Sequence, residues 1–353
     1  MGPDEDGFIR ALVDPLRCGL CGRCSRACPI IHPRFPNDPH PLCLAFESEP
    51  QRSSGSSTAG GFQILARHFL ARGGLVAGAA WTADGQGGQT AVRHELIASE
   101  DELAPLLKSK YVQSELADIF ARVRAALDEG REVLFSGVPC QVAGLYATLG
   151  RKRPGLHTVE TICNHVPSQR WFHDYLNERY GAGAVQAFDF RARSDNLPTT
   201  QNTMVTFSSG KRLLCPQGRE PFFALYLDHA MMGEFCENCR FAGVPRQADL
   251  TLGDFWGLER HDPAFRGRGH SGAALINNER GRALMNIITS QAVRMRQVEA
   301  QVLWRSNRTP AQNRCHPRRS QLRERVRAGR GLLTAALDLQ IMALPKPLPP
   351  SLK

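Results

Sequence analysis

Four cysteines within eleven residues constrain this chain more than any other feature: Cys18-Gly-Leu-Cys21-Gly-Arg-Cys24-Ser-Arg-Ala-Cys28-Pro29. The pattern CxxCxxCxxxCP is that of bacterial iron-sulfur ligation. Two-residue gaps let three thiolates converge on one cubane, and the Cys-Pro step turns the fourth toward a second cluster. Tetrahedral zinc, the alternative, prefers two separated CxxC knuckles. The run therefore predicts that Cys18, Cys21, Cys24 and Cys28 hold iron. Because such runs share ligands crosswise, Cys28 needs three partners elsewhere and the other three cysteines need one. Cys140, Cys163 and the pair Cys236 and Cys239 supply them, completing two 4Fe-4S clusters. Taken singly, Cys140 and Cys163 are also residues of the kind buried as small hydrophobes. Their places at the ends of predicted strands favour ligation. Cys43, Cys215 and Cys315 lack such a setting and are expected to be structural.

The N-terminus, Met1 to Phe8, is acidic and leads into no apolar core, so a secretory signal is not expected and the cytoplasm is the expected location. Cytosolic thiols stay reduced, which turns eleven cysteines from a disulfide framework into candidate ligands. The most apolar runs, Phe62 to Trp81 and Gly331 to Pro345, are interrupted by Arg67, His68 and Arg72 and by Asp338, so no transmembrane segment is expected. Lys and Arg outnumber Asp and Glu 44 to 34. Much of the excess lies late in the chain: Arg305, Arg308, Arg314, Arg318, Arg319, Arg323, Arg325, Arg327 and Arg330 face only Glu324. Such a stretch is either a solvated helix face or a docking field for an acidic partner. Few aromatics accompany it, so nucleic acid is not an expected partner.

Hydrophobic periodicity predicts helices near 59–71, 114–128, 141–149 and 169–180, strands at 75–81, 133–137 and 158–163, and a late hairpin, 204–208 with 211–215. Alternating strands and helices imply an α/β fold with a mixed, largely parallel sheet flanked by helices, and ligands at the strand ends. Three segments are expected. Residues 1–50 form a ferredoxin-like iron-sulfur module with a Pro-rich linker from Pro33 through Pro36 to Pro50. A main domain follows at 51–310, after a Ser-rich turn beginning at Ser53, and residues 311–353 form a basic C-terminal extension.

Three further segments, Lys108-Ser-Lys-Tyr-Val-Gln-Ser114, Leu134-Phe-Ser-Gly-Val-Pro-Cys-Gln141 and Thr251-Leu-Gly-Asp-Phe-Trp-Gly257, resemble signatures of the coenzyme F-420 hydrogenase/dehydrogenase beta-subunit family. The resemblance spans roughly residues 15–260. It implies an FAD-binding α/β domain, one or two 4Fe-4S clusters, and electron exchange with the deazaflavin coenzyme F-420, a ferredoxin or a reducible pigment. The family's relatives include reductases of chlorophyll precursors, so membership fixes cofactors better than substrate. One departure stands out: where members often carry Ile-Cys-His-Gly-Val-Pro-Ser, this chain has Ile162-Cys163-Asn164-His165-Val166-Pro167-Ser168. The glycine's tolerance of positive φ is lost and an imidazole is gained.

Flavins need donors for the pyrophosphate and a cationic or hydrogen-bonding group near the ring. Ser57, Thr58, Gly60 and Gly61 open a predicted helix, where backbone N–H groups can meet a phosphate, or where Ser or Thr merely caps the helix. Lys110 with Ser109, Tyr111 and Gln113 suits FAD or an anionic coenzyme, although a lone lysine is ordinarily a surface residue. Asp249 and Asp254, on either side of an expected apolar turn, would bind ribose, orient a basic group or cap the turn, and Arg246 would pair with an aspartate or a phosphate. Trp256 is expected in packing. His165 is the candidate acid-base residue, with a structural histidine as the alternative.

These expectations describe an iron-sulfur flavoprotein oxidoreductase linking a one-electron carrier, a ferredoxin or other acidic redox partner, to a two-electron substrate or coenzyme F-420. A non-catalytic relay subunit of a larger redox complex is the second possibility, and a zinc-stabilised interaction protein the third.

Overall fold

The computed structural model describes residues 1–35, 37–48, 55–150, 153–192, 202–265, 271–307 and 314–343; Pro36, Pro50, Ser53 and Arg308, singled out above, lie outside them. The chain opens with a short antiparallel ribbon, β1 (Gly2–Pro3) and β2 (Ile9–Arg10), passes helix α1 (Arg23–Ala27), and enters the main sheet at β3 (Leu42–Ser48). Then follow α2 (Gly61–Ala71), β4 (Leu75–Thr82), β5 (Ala91–Ile97), α3 (Ile119–Asp128), β6 (Val133–Gly137), α4 (Pro139–Leu149), β7 (Leu156–Thr161) and α5 (Gln169–Tyr180). A separate antiparallel sheet contains β8 (Val185–Ala192), β9 (Asn202–Phe207) and β10 (Arg212–Cys215), followed by α6 (Pro221–Leu227). The chain returns through β11 (Leu250–Asp254), β12 (Gly272–Ile276), α7 (Glu279–Thr289), β13 (Ala292–Val298) and α8 (Ala300–Asn307). It closes with α9 (Arg319–Arg327) and α10 (Leu332–Asp338).

The main sheet has strand order β13-β3-β12-β11-β7-β6-β4-β5. Its centre, β11-β7-β6-β4, is parallel, and every joint outside it is antiparallel. The expected mixed α/β sheet is thus observed, but its antiparallel part comes from the flanks, while the predicted hairpin lies in the smaller sheet. Strand side chains alternate between faces, and here the alternation sorts two cores. Leu44, Phe46 and Leu134 join the layer under α2 and α7, whereas Val133 and Phe135 join the layer under α3 and α4. Cys43 and Ala45 face a third cluster with Leu303 of α8. Each fully buried Leu or Phe contributes roughly 1.5–3 kcal/mol of burial.

Several sequence boundaries differ from the structure. The expected linker contains β3, an interior strand between β12 and β13, so the first fifty residues are not a detachable module. The helix expected from Ser114 starts at Ile119, because Glu115 exchanges backbone hydrogen bonds with Val92 and His94 beside β5. The apolar turn expected between Asp249 and Asp254 is β11 itself.

The basic extension is the largest departure. Leu322, Val326, Leu332, Ala335, Ala336, Ile341 and Met342 are buried with Trp171 and Phe172 of α5, making α9 and α10 part of a core. Their arginines are spent within the chain. Arg323 and Arg327 pair with Asp6 at 2.5 and 2.8 Å, Arg327 reaches Glu5 at 2.6 Å, and Arg330 pairs with Asp338 at 2.8 Å. Arg319 donates to the Met232 carbonyl at 2.6 Å. Burial raises the Asp6 pKa, but hydrogen bonds and charges from Arg327 and Arg323 outweigh it and hold the carboxyl below its usual range.

Glu220, which caps α6, lies in the same core. Its carboxylate accepts from the hydroxyls of Tyr175, Tyr180 and Thr203. Burial pushes its pKa up to about 8, against a backbone hydrogen bond from Phe222 that lowers it. The folded state therefore holds a proton that the unfolded chain loses above about pH 4.5. The stability this protonated group contributes is complete below that value and falls as pH rises through about 8. Glu220→Gln should flatten that decline and be more stable than wild type at pH 9, by a few kcal/mol at order of magnitude. Denaturant midpoints measured from pH 5 to 9 would show it, and parallel profiles for the two proteins would refute it.

Candidate functional site

The C-terminal ends of the parallel strands are where an open α/β sheet leaves room for ligands, and the chain's unusual residues gather there. Beyond β6, Val138 leads into α4 with Pro139 and Cys140 in its first turn. Gln141 accepts the Val138 N–H at 3.0 Å and donates to Ser114 at 2.8 Å, whose hydroxyl lies 3.0 Å from His94 Nδ1. The first two signature segments are thus knit together by their own side chains. Cys163 follows β7, and Cys236 and Cys239 lie in the loop after α6.

These four cysteines share one electrostatic environment. Burial raises Cys163 strongly, followed by the proximity of Cys236, Cys140 and Cys239. Burial likewise raises Cys140, with Cys236 and Cys239 adding to it. Cys236 is pushed up to about 12, chiefly by burial, with further increments from Cys239 and Cys315. Backbone amides partly offset this: Val166 hydrogen-bonds Cys236, and Phe241 and Ala242 hydrogen-bond Cys239. Four neighbouring thiols that stay protonated unless a cation intervenes suit a metal group, since binding must release their protons. They are neighbours rather than a closed shell; among the described residues no three His, Cys, Asp or Glu side chains are set to hold a metal ion.

The N-terminal run is a different environment. Cys21 and Cys24 are exposed and Cys18 and Cys28 half-buried, on a loop wound by positive φ at Leu20 and Gly22. Its far end is fastened beside the segment that carries Cys236 and Cys239. Phe35 packs 6.0 Å from Phe241, Gln247 donates to the Arg34 carbonyl at 3.1 Å, and Asn37 donates to the carbonyls of Arg246 and Ala248 at 2.8 Å.

A second cluster of polar groups surrounds Tyr111. Lys108 pairs with Asp189 at 2.5 Å. Arg191 donates from Nη1 to Asp254 at 2.7 Å and to the Tyr111 hydroxyl at 3.2 Å, and its guanidinium lies 5.8 Å from the Trp256 ring. Arg191 is only 3% exposed, yet its Nε and Nη2 and Asp254 Oδ1 have no hydrogen-bond partner among the described residues. Lys110 keeps some accessible surface but is surrounded by protein and donates to the Leu107 and Lys108 carbonyls at 2.9 and 3.2 Å. Burial brings its pKa down to about 7, with Asp189 opposing and Lys108 adding. Ser109 lies 3.4 Å from Ser57, joining this segment to the turn before α2. Thr58, Ala59 and Gly60 all have positive φ, and α2 begins without a side-chain cap, so the expected Ser/Thr N-cap is not formed. Positive φ at Thr58 and Ala59 is strain of the kind found at ligand clamps. Gly61 is needed for packing: a Cβ there would meet Phe46 at 3.1 Å and Leu252 at 3.2 Å.

Tyr226 joins the two clusters. Its ring centroid lies 5.0 Å from that of Tyr111, and Cys163, Tyr111 and Cys236 all raise its pKa, after burial.

Other candidates have structural duties. Gln113 exchanges two hydrogen bonds with the Ile9 backbone, at 2.8 and 3.2 Å, anchoring the N-terminal arm instead of a cofactor. Asp249 accepts from the Thr158 backbone and hydroxyl at 2.9 and 2.8 Å and lies before β11, at the opposite end from Asp254. The two aspartates cannot share a ligand. Arg246 pairs with Glu160 instead of with Asp249 or Asp254. His165 is buried, stacked 4.1 Å from Tyr226, and has no hydrogen-bond partner at either ring nitrogen among the described residues. Burial, aided by His229, holds its pKa well below the usual value, so it is neutral near pH 7 and not poised to exchange protons. Conversely, the sequence reading missed Arg191, Lys108 and Asp189. An arginine next to the inward-facing phenylalanines of Phe188-Asp189-Phe190-Arg191 was the available signal.

Residues 130–301, just under half the chain, match the family described as the C terminus of the beta subunit of coenzyme F420 hydrogenase/dehydrogenase. The matched span includes Cys140, Cys163, Cys236 and Cys239, with Arg191 and Asp254; the N-terminal run and Lys108 to Ser114 lie outside it. Among solved structures, a chain from the F420-reducing [NiFe] hydrogenase complex of Methanosarcina barkeri is similar at 14% identity and a TM-score of 0.48, over 85% of this chain and 91% of that one. At that distance the likeness adds nothing to the functional reading. No curated protein shows significant similarity to the chain. Among the described residues, no helix is long and apolar enough to cross a membrane.

Proposed function

From the premise that residues 130–301 are of the coenzyme F-420 hydrogenase/dehydrogenase beta-subunit type, we propose that the chain is an oxidoreductase carrying FAD and two 4Fe-4S clusters. One observation carries the reading: near the strand ends, Cys163 with its neighbours Cys236, Cys140 and Cys239 is joined by Tyr226 to a polar cluster with unmet donors. Cys140, Cys163, Cys236 and Cys239 would hold iron, together with Cys18, Cys21, Cys24 and Cys28. Arg191 and the Ser57 to Gly61 turn would receive the flavin's pyrophosphate, and Ser109, Lys110, Tyr111 and Asp254 would line its other polar edges. A bound flavin supplies exchange between one- and two-electron chemistry, and the clusters supply single-electron transfer.

For their part, the protein's residues orient and protonate. With a pKa near 7, Lys110 is available in both protonation states at neutral pH, which suits a proton donor beside a ring that is being reduced. It takes over the role that sequence reasoning gave to His165. Within this reading the two-electron partner is coenzyme F-420 or another small or pigment-like molecule, and the one-electron partner is ferredoxin-like. The eleven free cysteines accord with the reducing cytoplasm. Docking of an acidic partner on α9 loses its basis, because Arg323 and Arg327, with Arg330 beyond it, pair within the chain.

Anaerobic reconstitution with iron, sulfide and FAD, followed by metal and flavin analysis, tests the proposal. Colourless protein binding zinc and no flavin would overturn it. Exposed Leu12, Leu16, Leu20, Ile30 and Ile31 around the N-terminal run favour a second reading, a relay subunit that passes electrons to a companion chain. Turnover of a soluble substrate by the isolated chain would exclude that reading.

A further inference from the structure

Arg246 is 1% exposed, and its partner Glu160 is fully buried. The Arg246 Nε lies 2.5 Å from Glu160 Oε1, and Nη1 donates to the carbonyls of Phe241, Ala242 and Gly243 at 3.3, 2.8 and 3.2 Å. The second carboxylate oxygen accepts the backbone N–H groups of Gln247 and Ala248 at 3.2 and 3.0 Å, and Oε1 also accepts from the Thr251 hydroxyl at 3.0 Å. The pair thus ties two cysteine-bearing segments together. Glu160 is on β7, three residues before Cys163, and the three carbonyls begin two residues after Cys239. Arg246 Nη2 is buried without a hydrogen-bond partner among the described residues. Burying an ion pair is costly, and besides satisfying these backbone groups the pair brings a buried positive charge to the turn that follows Cys239.

We propose that Arg246, held by Glu160, is a positioning residue for the four-cysteine site: its fork fixes the Phe241 to Gly243 turn against the end of β7, and its charge offsets the negative charge of a thiolate-bound cluster. This rests on the reading of Cys140, Cys163, Cys236 and Cys239 as iron ligands. A cluster's reduction potential responds to net charge and to hydrogen bonding around it, so the two members of the pair should act in opposite senses.

The test uses full-length protein, reconstituted anaerobically with iron and sulfide, and a redox titration of the cluster signal that Cys239→Ala abolishes. Arg246→Gln removes the cation and should move the midpoint to lower potential. Glu160→Gln keeps the carboxamide oxygen as an acceptor, leaves the guanidinium uncompensated, and should move it to higher potential. Arg246→Lys should restore the wild-type potential. A loop brace alone would not produce opposite shifts in iron-replete proteins. Unchanged potentials, or shifts of the same sign, overturn the inference while leaving the ligand assignment standing. If Arg246→Gln does not load iron, Glu160→Gln decides alone: a rise supports the inference and no change overturns it. Wild-type protein with no such signal overturns the ligand assignment and this inference together.

Discussion

Cys163→Ala protein, reconstituted anaerobically, is expected to hold about four fewer irons per chain than wild type, because a 4Fe-4S cluster deprived of one thiolate among its four ligands rarely persists. Cys163 follows β7, and its neighbours are Cys236, Cys140 and Cys239. Among the described residues, the one unassigned thiol near the group, Cys315, neighbours Cys236 and not Cys163, so it is not placed to substitute. Cys43→Ala is the matching control. Cys43 pairs with Leu275 across an interior joint of the sheet and is buried at 2% exposure, where burial pushes its thiol up to about 12. Its loss should lower stability by opening a small cavity and leave the iron count unchanged. Iron and sulfide assays with electron paramagnetic resonance separate the two. An undiminished iron count in Cys163→Ala would remove Cys163 from the ligand set.

The second large effect concerns Arg191. Arg191→Met should cost about 3–5 kcal/mol of stability, since it leaves the Asp254 carboxylate, 11% exposed, without its cation. Flavin affinity should fall at the same time by roughly a hundredfold, about the worth of a lost charge-assisted pair. These losses have different origins and can be separated. Adding Asp254→Asn removes the stranded charge and should recover most of the stability while flavin binding stays weak. Denaturant midpoints and quenching of flavin fluorescence measure the two quantities. Recovery of both in the double variant would show that Arg191 serves the fold and not the cofactor.

Legibility in the sequence followed the range of the interactions. Strand β6 and helix α5 lie within the boundaries that periodicity predicts, because each buries a regular stripe and is flanked by local stop signals. Strand β3 was missed because it is hidden in a Pro-rich stretch and owes its place to pairing with β12 and β13, more than two hundred residues away. The same holds at the site. Cysteine spacing announced the ligand candidates, and motif order announced Lys110 and Asp254. That Arg191 would pair with Asp254 depended on a separate sheet bringing β8 beside the end of β11, which no local pattern records. Gln113 and Asp249 show the opposite case. Each is a polar residue in a signature segment or beside one, and each is hydrogen-bonded within the fold, Asp249 to Thr158 and Gln113 to the Ile9 backbone.

The pairing of Asp6 with Arg323 and Arg327 makes the two ends of the chain a single clasp, reinforced by Phe8, which is fully buried against Trp171 and Phe235. The cysteine run begins only eight residues beyond Arg10, so it hangs from that clasp as from a hinge pin. Its placement is therefore set partly by α9, a helix remote from it in sequence. Loss of the Asp6 pairs would leave the arm before the run held by Gln113 and by the packing of Phe8, so a change in that distant helix should be felt at the cysteines.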